Sequence, residues 1–197
     1  IAAIQSLGAI VVPIHPESTG EELTKIIGDS KAEILIAEDH QQGDTFLAVE
    51  SSCAIKNLIY LDGRGMSTYS NDILYSYDNL LNQSNESDIE NDIKSIKDDD
   101  IAFYLYDEHE DSVYKVSHAA IINNSSKIIT LNNLTEKDSI VSYLPLSIPT
   151  NLLFTFVTSL NSGMSLNLPE SNQTIEKDLQ EIGPTILYAP SFVYKHI

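Results

Sequence analysis

Apolar and polar positions switch along this chain between two periods. Ile1 to Leu7 has the spacing of the closing turns of a helix, and Gly8 offers the left-handed stop that such a helix needs. Ala9 to Ile14 is a short β-branched strand. Ser18-Thr19-Gly20-Glu21 has capping-box spacing, so a helix starts there with Leu23, Ile26 and Ile27 on one side. "EILIA" (Glu33 to Ala37) is the next strand, Asp44 to Ser51 a weaker helix, and "NLIYL" (Asn57 to Leu61) a third strand. Strands beginning at residues 9, 33 and 57 with helical patterns between them have the spacing of βαβ crossovers, which means a parallel sheet. Their unbroken apolar runs suit strands covered by helices on both faces. Asp62 to Asn71 reads as a loop and Asp72 to Leu81 as a short helix.

The pattern weakens over Asn82 to Asp100, which is polar and acidic. Ile89, Ile93 and Ile96 still fall at i, i+4, i+7, the spacing of a short amphipathic helix. Beyond it, Ile101 to Tyr106 and Ser112 to Val116 are strands flanking an acidic turn. Ser117 caps a helix over Ala119 to Leu131, with Ile121, Ile122, Ile128 and Ile129 on one face. Ser139 to Leu144 is a strand ended by Pro145, and Thr150 to Leu160 an apolar helix stopped near Gly163. Met164 to Leu168 is a strand, Thr174 to Ile182 a helix, and Thr185 to Ala189 a strand before Pro190. The expected fold class is α/β, with parallel or mixed sheets and helices on both faces. Residues 1–97 form a first α/β part and residues 98–197 a second. Both ends fall inside apolar patterns, so the sequence reads as a segment of a longer protein.

Composition narrows the choices. The 197 residues hold 29 Asp plus Glu against 11 Lys plus Arg, a net charge of −18, and Arg64 is the only arginine. Such a surface repels nucleic acid, whose binding rests on basic groups displacing counterions. It also lacks the forked donors that phosphate sites favour. Cys53 is the only cysteine, so no intrachain disulfide forms, which fits a cytoplasmic location. No apolar run approaches the roughly 20 residues needed to span a bilayer.

Four strings then give a resemblance. "GAIVVPIHPESTGEELTKIIGDSKAEILIAED", "KDDDIAFYLYDEHEDSVYKVSHAAIINN", "DSIVSYLPLSIP" and "EIGPTILYAPSFVYKHI" stand in the order in which similar strings occur in long-chain acyl-CoA synthetases, members of the adenylate-forming (AMP-binding) superfamily. Together they cover nearly the whole chain. The resemblance implies part of that family's large N-terminal domain. It also implies the family reaction: a fatty acid joined to ATP with magnesium, then passed as an acyl group to coenzyme A. ATP, magnesium, CoA and a fatty acid or acyl-CoA are the ligands so implied.

At the family's phosphate-binding loop this sequence departs. The family has Gly, Ser and Thr with a Lys there. Glycines let backbone N–H groups approach phosphate, and the Lys offsets charge. Here the segment is Phe103 to Val113, without a glycine, with Ser112 at or next to the Lys position and with Asp107, Glu108, Glu110 and Asp111 around His109. Two like charges about 4 Å apart repel by roughly 1 kcal/mol in water and roughly 4 kcal/mol at an effective dielectric near 20. Several such pairs exceed the binding energy of a millimolar to micromolar nucleotide site, on the order of 4 to 8 kcal/mol. The loop is therefore not expected to cradle a triphosphate. Asp107, His109 and Asp111 have the alternation of a calcium loop's first ligands. Ser112 then stands where such a loop needs Gly, and His118 where it needs Glu, so no metal site is assigned.

Ser117 and His118 match the family's residues after the loop and are the candidate cofactor contacts, although a helix start explains them more simply. Ile148 stands where the family has His at the edge of the acyl site. His15, His40 and His196 have no metal or triad spacing, and no catalytic residue is assigned. Two functions remain open: a fragment of a fatty-acid–CoA ligase-like enzyme, inactive alone, or a non-catalytic relative that binds acyl chains or protein partners.

Overall fold

A computed structural model describes residues 1–83, 89–107 and 112–189. The chain resolves into two compact units, Ile1–Ile96 with Phe103–Lys115, and Lys97–Ala102 with Val116–Ile197.

In the first unit, α1 (Ala2–Gln5) is followed by Gly8 at φ +72°, the left-handed stop read from the sequence. Helix α2 (Gly20–Ser30) does start with a capping box, but one residue later than expected. Thr19 caps Glu22 N–H, and the Glu22 carboxylate accepts the Thr19 N–H at 2.7 Å. The shift places Leu23, Ile26 and Ile27 inward, as the periodicity required. Strand β1 (Ile34–Ala37) leads to α3 (His40–Leu47), whose cap is Asp39. This helix starts earlier than the expected Asp44, because the Asp39 carboxylate accepts the Gln42 N–H at 3.0 Å. Strand β2 (Asn57–Tyr60) follows as expected. The loop after it contains a tight turn at Met66–Thr68. The segment read as one short helix divides into strand β3 (Leu74–Ser76) and helix α4 (Tyr77–Leu81).

The three strands form a parallel sheet in the order β1-β2-β3, with Leu35 opposite Leu58 and Leu58 opposite Leu74. That row, with Ala37, Leu23, Ile27, Phe46 and Ile55, makes the core beneath α2 and α3. Each fully buried Leu, Ile or Phe contributes about 1.5 to 3 kcal/mol. The expected strand Ala9 to Ile14 reduces to a single parallel bridge, Val11 to Phe103. The amphipathic helix in the acidic stretch forms as α5 (Ile89–Ser95), with Ile89 and Ile93 exposed.

Strands β4 (Ile101–Asp107) and β5 (Ser112–Ser117) form a two-stranded sheet. A connection so short joins antiparallel neighbours. Helix α6 (His118–Asn132) follows, with Ile121, Ser125 and Ile128 buried and Ile122 exposed.

In the second unit, β6 (Ser139–Val141) pairs in parallel with β7 (Ser165–Asn167). Ile186 bridges Ile140, which is all that forms of the strand expected at Thr185 to Ala189. The apolar helix runs as α7 (Pro149–Asn151), a π-helical segment Leu152–Val157, and α8 (Thr158–Ser162), stopped at Gly163 with φ +77°. Helix α9 (Ile175–Ile182) is the last helix among the described residues. Ile140, Val141, Leu152, Val157 and Met164 are buried here together with Ser125, Ser142, Asn151, Thr155, Thr158 and Ser159. Among the described residues, no helix is long and apolar enough to cross a membrane.

Candidate functional site: the hairpin and the start of α6

Strand β4 is anchored by its own side chains. Ala102, Phe103 and Leu105 are buried, and Tyr104 N–H donates to the Val11 carbonyl at 3.0 Å. On β5 the nearest cation to the turn is Lys115, whose ammonium lies 5.4 Å from the centre of the Tyr104 ring. It is thus held on an aromatic face. Glu108, His109, Glu110 and Asp111 lie outside the described residues, and with them three of the turn's four acids and most of the calcium-like alternation.

The two candidate contacts after the hairpin sit in the first turn of α6. Ser117 has extended backbone angles, and its hydroxyl accepts the Ala120 N–H at 3.2 Å. His118 is the first helical residue. Its N–H donates to the Asp100 carbonyl at 3.0 Å, and Ala119 N–H donates to the Asp98 carbonyl at 2.7 Å. The turn that supplies these acceptors is fixed in turn: the Asp100 carboxylate accepts the Lys97 N–H at 2.8 Å. A helix start binds anions when its amides are unsatisfied. Here the amides of residues 118 to 120 already have protein acceptors, the first two in an acidic stretch and the third in the Ser117 hydroxyl. These residues therefore do not fit a polyanion at this helix end. Nothing in the sequence pattern singled out Asp98 and Asp100 as partners; the triple Asp preceding β4 was the available signal.

The remaining candidates are dispersed. His15 Nδ1 accepts the Glu17 N–H at 3.3 Å, and His40 begins α3 with its ring against Gly65. His196 lies outside the described residues. Among the described residues, no group of three His, Cys, Asp or Glu is placed to hold a metal ion.

A second locus in the second unit was not read from the sequence. The Tyr143 hydroxyl donates to the Tyr188 carbonyl at 3.3 Å, and the Phe154 and Tyr188 rings pack with centroids 4.7 Å apart. Asn151 Nδ2 donates to the Leu144 carbonyl at 2.6 Å and to Ser142 Oγ at 3.2 Å, which fixes the backbone just before Pro145. Nearby in sequence, Ser147 Oγ is buried without a hydrogen-bond partner. Ile148, in the family's His position, is half-buried and precedes Pro149 at the first helical position. It starts a helix and offers no proton-transfer chemistry.

Compared with known proteins, the chain matches no family profile and no curated protein sequence. Solved structures do match. A candidate long-chain-fatty-acid CoA ligase from Rhodopseudomonas palustris superposes with a TM-score of 0.75 at 17% identity, over 95% of this chain and 46% of that one. A long-chain-fatty-acid-CoA ligase from Archaeoglobus fulgidus gives 0.70 at 17% identity, over 93% and 35%. A benzoate CoA ligase from Burkholderia xenovorans gives 0.72 at 18% identity, over 92% and 35%. The chain has the fold of the N-terminal part of such ligases and spans less than half the length of each.

Proposed function

We propose that this chain, which carries the fold of CoA-ligase N-terminal domains, is a piece of an AMP-forming long-chain fatty-acid–CoA ligase-like protein. The observation that carries the reading is that local strings and fold point to one family. Four local strings follow the family's order, and 95% of the chain superposes on a candidate long-chain-fatty-acid CoA ligase. The family's reaction joins a carboxylate to the α-phosphorus of ATP with loss of pyrophosphate, and CoA thiol then displaces AMP. Magnesium would offset phosphate charge. This segment is inactive alone in our reading, and Ser117 and His118 serve to start α6. The long-chain preference rests on the sequence resemblance, because the fold is shared by a benzoate ligase. The lone cysteine and the family's chemistry fit a cytoplasmic location.

A second reading is favoured by a specific observation: the hairpin turn is acidic, and the amides after it are already occupied. In that reading the protein is a non-catalytic relative that binds a fatty acid, an acyl-CoA or a protein partner. Calorimetric titration of magnesium-ATP into a longer protein that contains this segment together with the rest of the ligase fold, with pyrophosphate release assayed on a long-chain acid, separates the two. No saturable nucleotide binding, with retention of the fatty acid, supports the non-catalytic relative. Saturation below millimolar ATP, with pyrophosphate released, returns the enzyme.

A further inference from the structure

Asp62-Gly63 is the chain's only Asp-Gly pair, and the chain has no Asn-Gly. In such a pair the glycine nitrogen can reach the aspartate carboxyl carbon, and no Cβ hinders closure of a five-membered ring. The pair lies in the loop after β2, where Gly63, Arg64 and Gly65 are exposed. Among the described residues the Gly63 N–H donates to no protein acceptor, so the nucleophile is at hand. The electrophile is held back. Asp62 Oδ1 accepts the Arg64 N–H at 2.9 Å, and Oδ2 accepts Arg64 Nε at 2.7 Å. This is an Asx-turn closed a second time by a guanidinium, with both carboxylate oxygens engaged. On the other side, the Asp62 N–H donates to the Glu38 carbonyl at 2.9 Å. The clip from Arg64 spans three residues, so it draws on no part of a polypeptide outside this segment.

We propose that Asp62-Gly63 is a site of spontaneous backbone isomerisation whose rate is set by the Arg64 clip. The Gly63 nitrogen attacks Cγ of Asp62. An N–Cγ bond forms, and the carboxyl hydroxyl leaves as water with the amide proton. Water then opens the cyclic imide. Cleavage at Cγ restores aspartate. Cleavage at the main-chain carbonyl leaves isoaspartate, with the chain running through the former side chain and a free α-carboxylate. Mass is unchanged overall. The leaving oxygen needs a protonated carboxyl, and the clip opposes protonation. It holds Asp62 at a pKa of about 2 against 3.8, which lowers the protonated fraction at neutral pH by more than about tenfold. Glu38, Asp39 and Asp78 line the same open cleft, yet the donors to this carboxylate come from Arg64. Isoaspartate would add a methylene to the main chain next to Leu61, whose N–H donates to the Ala37 carbonyl at 3.0 Å. The same loop seats buried Met66 against Gly43 of α3. The proposal does not depend on whether nucleotide binds elsewhere.

The test ages a longer protein that contains this segment with the rest of the ligase fold, at neutral pH and physiological temperature. The free peptide spanning residues 60–66 is aged in parallel. Peptide mapping with electron-transfer fragmentation tells the two linkages apart at equal mass. The intact protein should isomerise at Asp62 at least about tenfold more slowly than the peptide, and Arg64→Ala should recover most of that difference. The Arg64 side chain is 91% exposed, so its removal should leave the urea midpoint before ageing unchanged. Gly63→Ala added to Arg64→Ala should restore the slow rate. A Cβ there meets only the Tyr60 ring, at 3.7 Å, so the fold accepts it while ring closure is hindered. The isomerised fraction of aged Arg64→Ala protein should unfold at lower urea. Equal slow rates with and without the Arg64 side chain would place the protection in the fold at large and overturn the proposal. So would equal rates for protein and peptide, or isoaspartate accumulating in the Arg64→Ala protein as fast at other aspartates as at Asp62.

Discussion

The two units bury different chemistry. The first closes over Leu23, Ile27, Ala37, Phe46, Ile55 and Leu58, all apolar. The second buries Ser142, Asn151, Thr155, Thr158 and Ser159 beside its Ile and Leu residues. Its polar groups satisfy one another. Thr155 Oγ1 donates to the Asn151 carbonyl at 2.5 Å, Thr158 Oγ1 to the Leu153 carbonyl at 2.7 Å, and Ser159 Oγ to the Thr155 carbonyl at 2.6 Å. The bond from Thr158 spans five residues and sits on the π-helical segment, where the turn is widened. An apolar core is held by volume and area, and removal of one side chain is felt in proportion to its size. A polar core is held by pairing, and removal of one member leaves the others unsatisfied.

The largest effect should come from volume. Phe46 is fully buried, and Phe46→Ala should cost about 3 to 5 kcal/mol, read as a fall in the urea midpoint. A cost below about 1 kcal/mol would mean that the first core is loosely packed and that the contrast between the units is false.

Pairing should show as coupling. Asn151→Ala and Thr155→Val each remove part of the network around Ser142 Oγ, which accepts from Asn151 Nδ2 at 3.2 Å and lies 3.2 Å from Thr155 Oγ1. Each should cost about 1 to 3 kcal/mol. Their double-mutant cycle should give a coupling of about 0.5 to 3 kcal/mol, whereas Phe46→Ala combined with either should be additive. Additivity of the Asn151 and Thr155 changes would remove the network as a unit.

The same contrast explains what could be read from the sequence. Apolar periodicity located α2, β1, β2, α6 and the inward positions Leu23, Ile27 and Ile121, because these are set by area. Pairing is specified by geometry, so single caps and partners were displaced or missed. The cap of α2 is Thr19, whose hydroxyl accepts the Glu22 amide at 3.3 Å. Helix α3 starts behind Asp39 although Gln41, Gln42 and Gly43 carry no apolar signal. Strand β3 is three residues, too short for a period, and was read within a helix. The strand expected over Ala9 to Ile14 keeps one bridge, because Val11 alone has a partner. At the site, the sequence showed the acidic turn and the Ser117 cap. The acceptors that occupy the following amides, Asp98 and Asp100, come from a turn whose position only folding fixes.

The smallest effect divides the units by how each holds an acid. In the first, Asp62 has its pKa lowered from 3.8 to about 2, chiefly by the hydrogen bond from the Arg64 side chain and then by the Arg64 backbone N–H. In the second, Asp138 is also lowered, by the Thr135 N–H and then by the Thr185 and Thr135 hydroxyls, all neutral donors. Both folded values lie below the unfolded one. Each therefore adds stability that is present above about pH 4 and is lost as pH falls, for Asp62 through about 2. NMR titration of the two carboxyl carbons should show Arg64→Ala moving Asp62 back toward 3.8, short of it because the residue-64 N–H still donates at 2.9 Å. Thr185→Val should raise Asp138 alone. Molar salt should relax the shift of Asp62 more than that of Asp138, since screening acts on charge and leaves neutral donors in place. Equal salt responses would mean that the two acids are held alike, and the division between charge and neutral pairing would fail at the surface even if it stands in the cores.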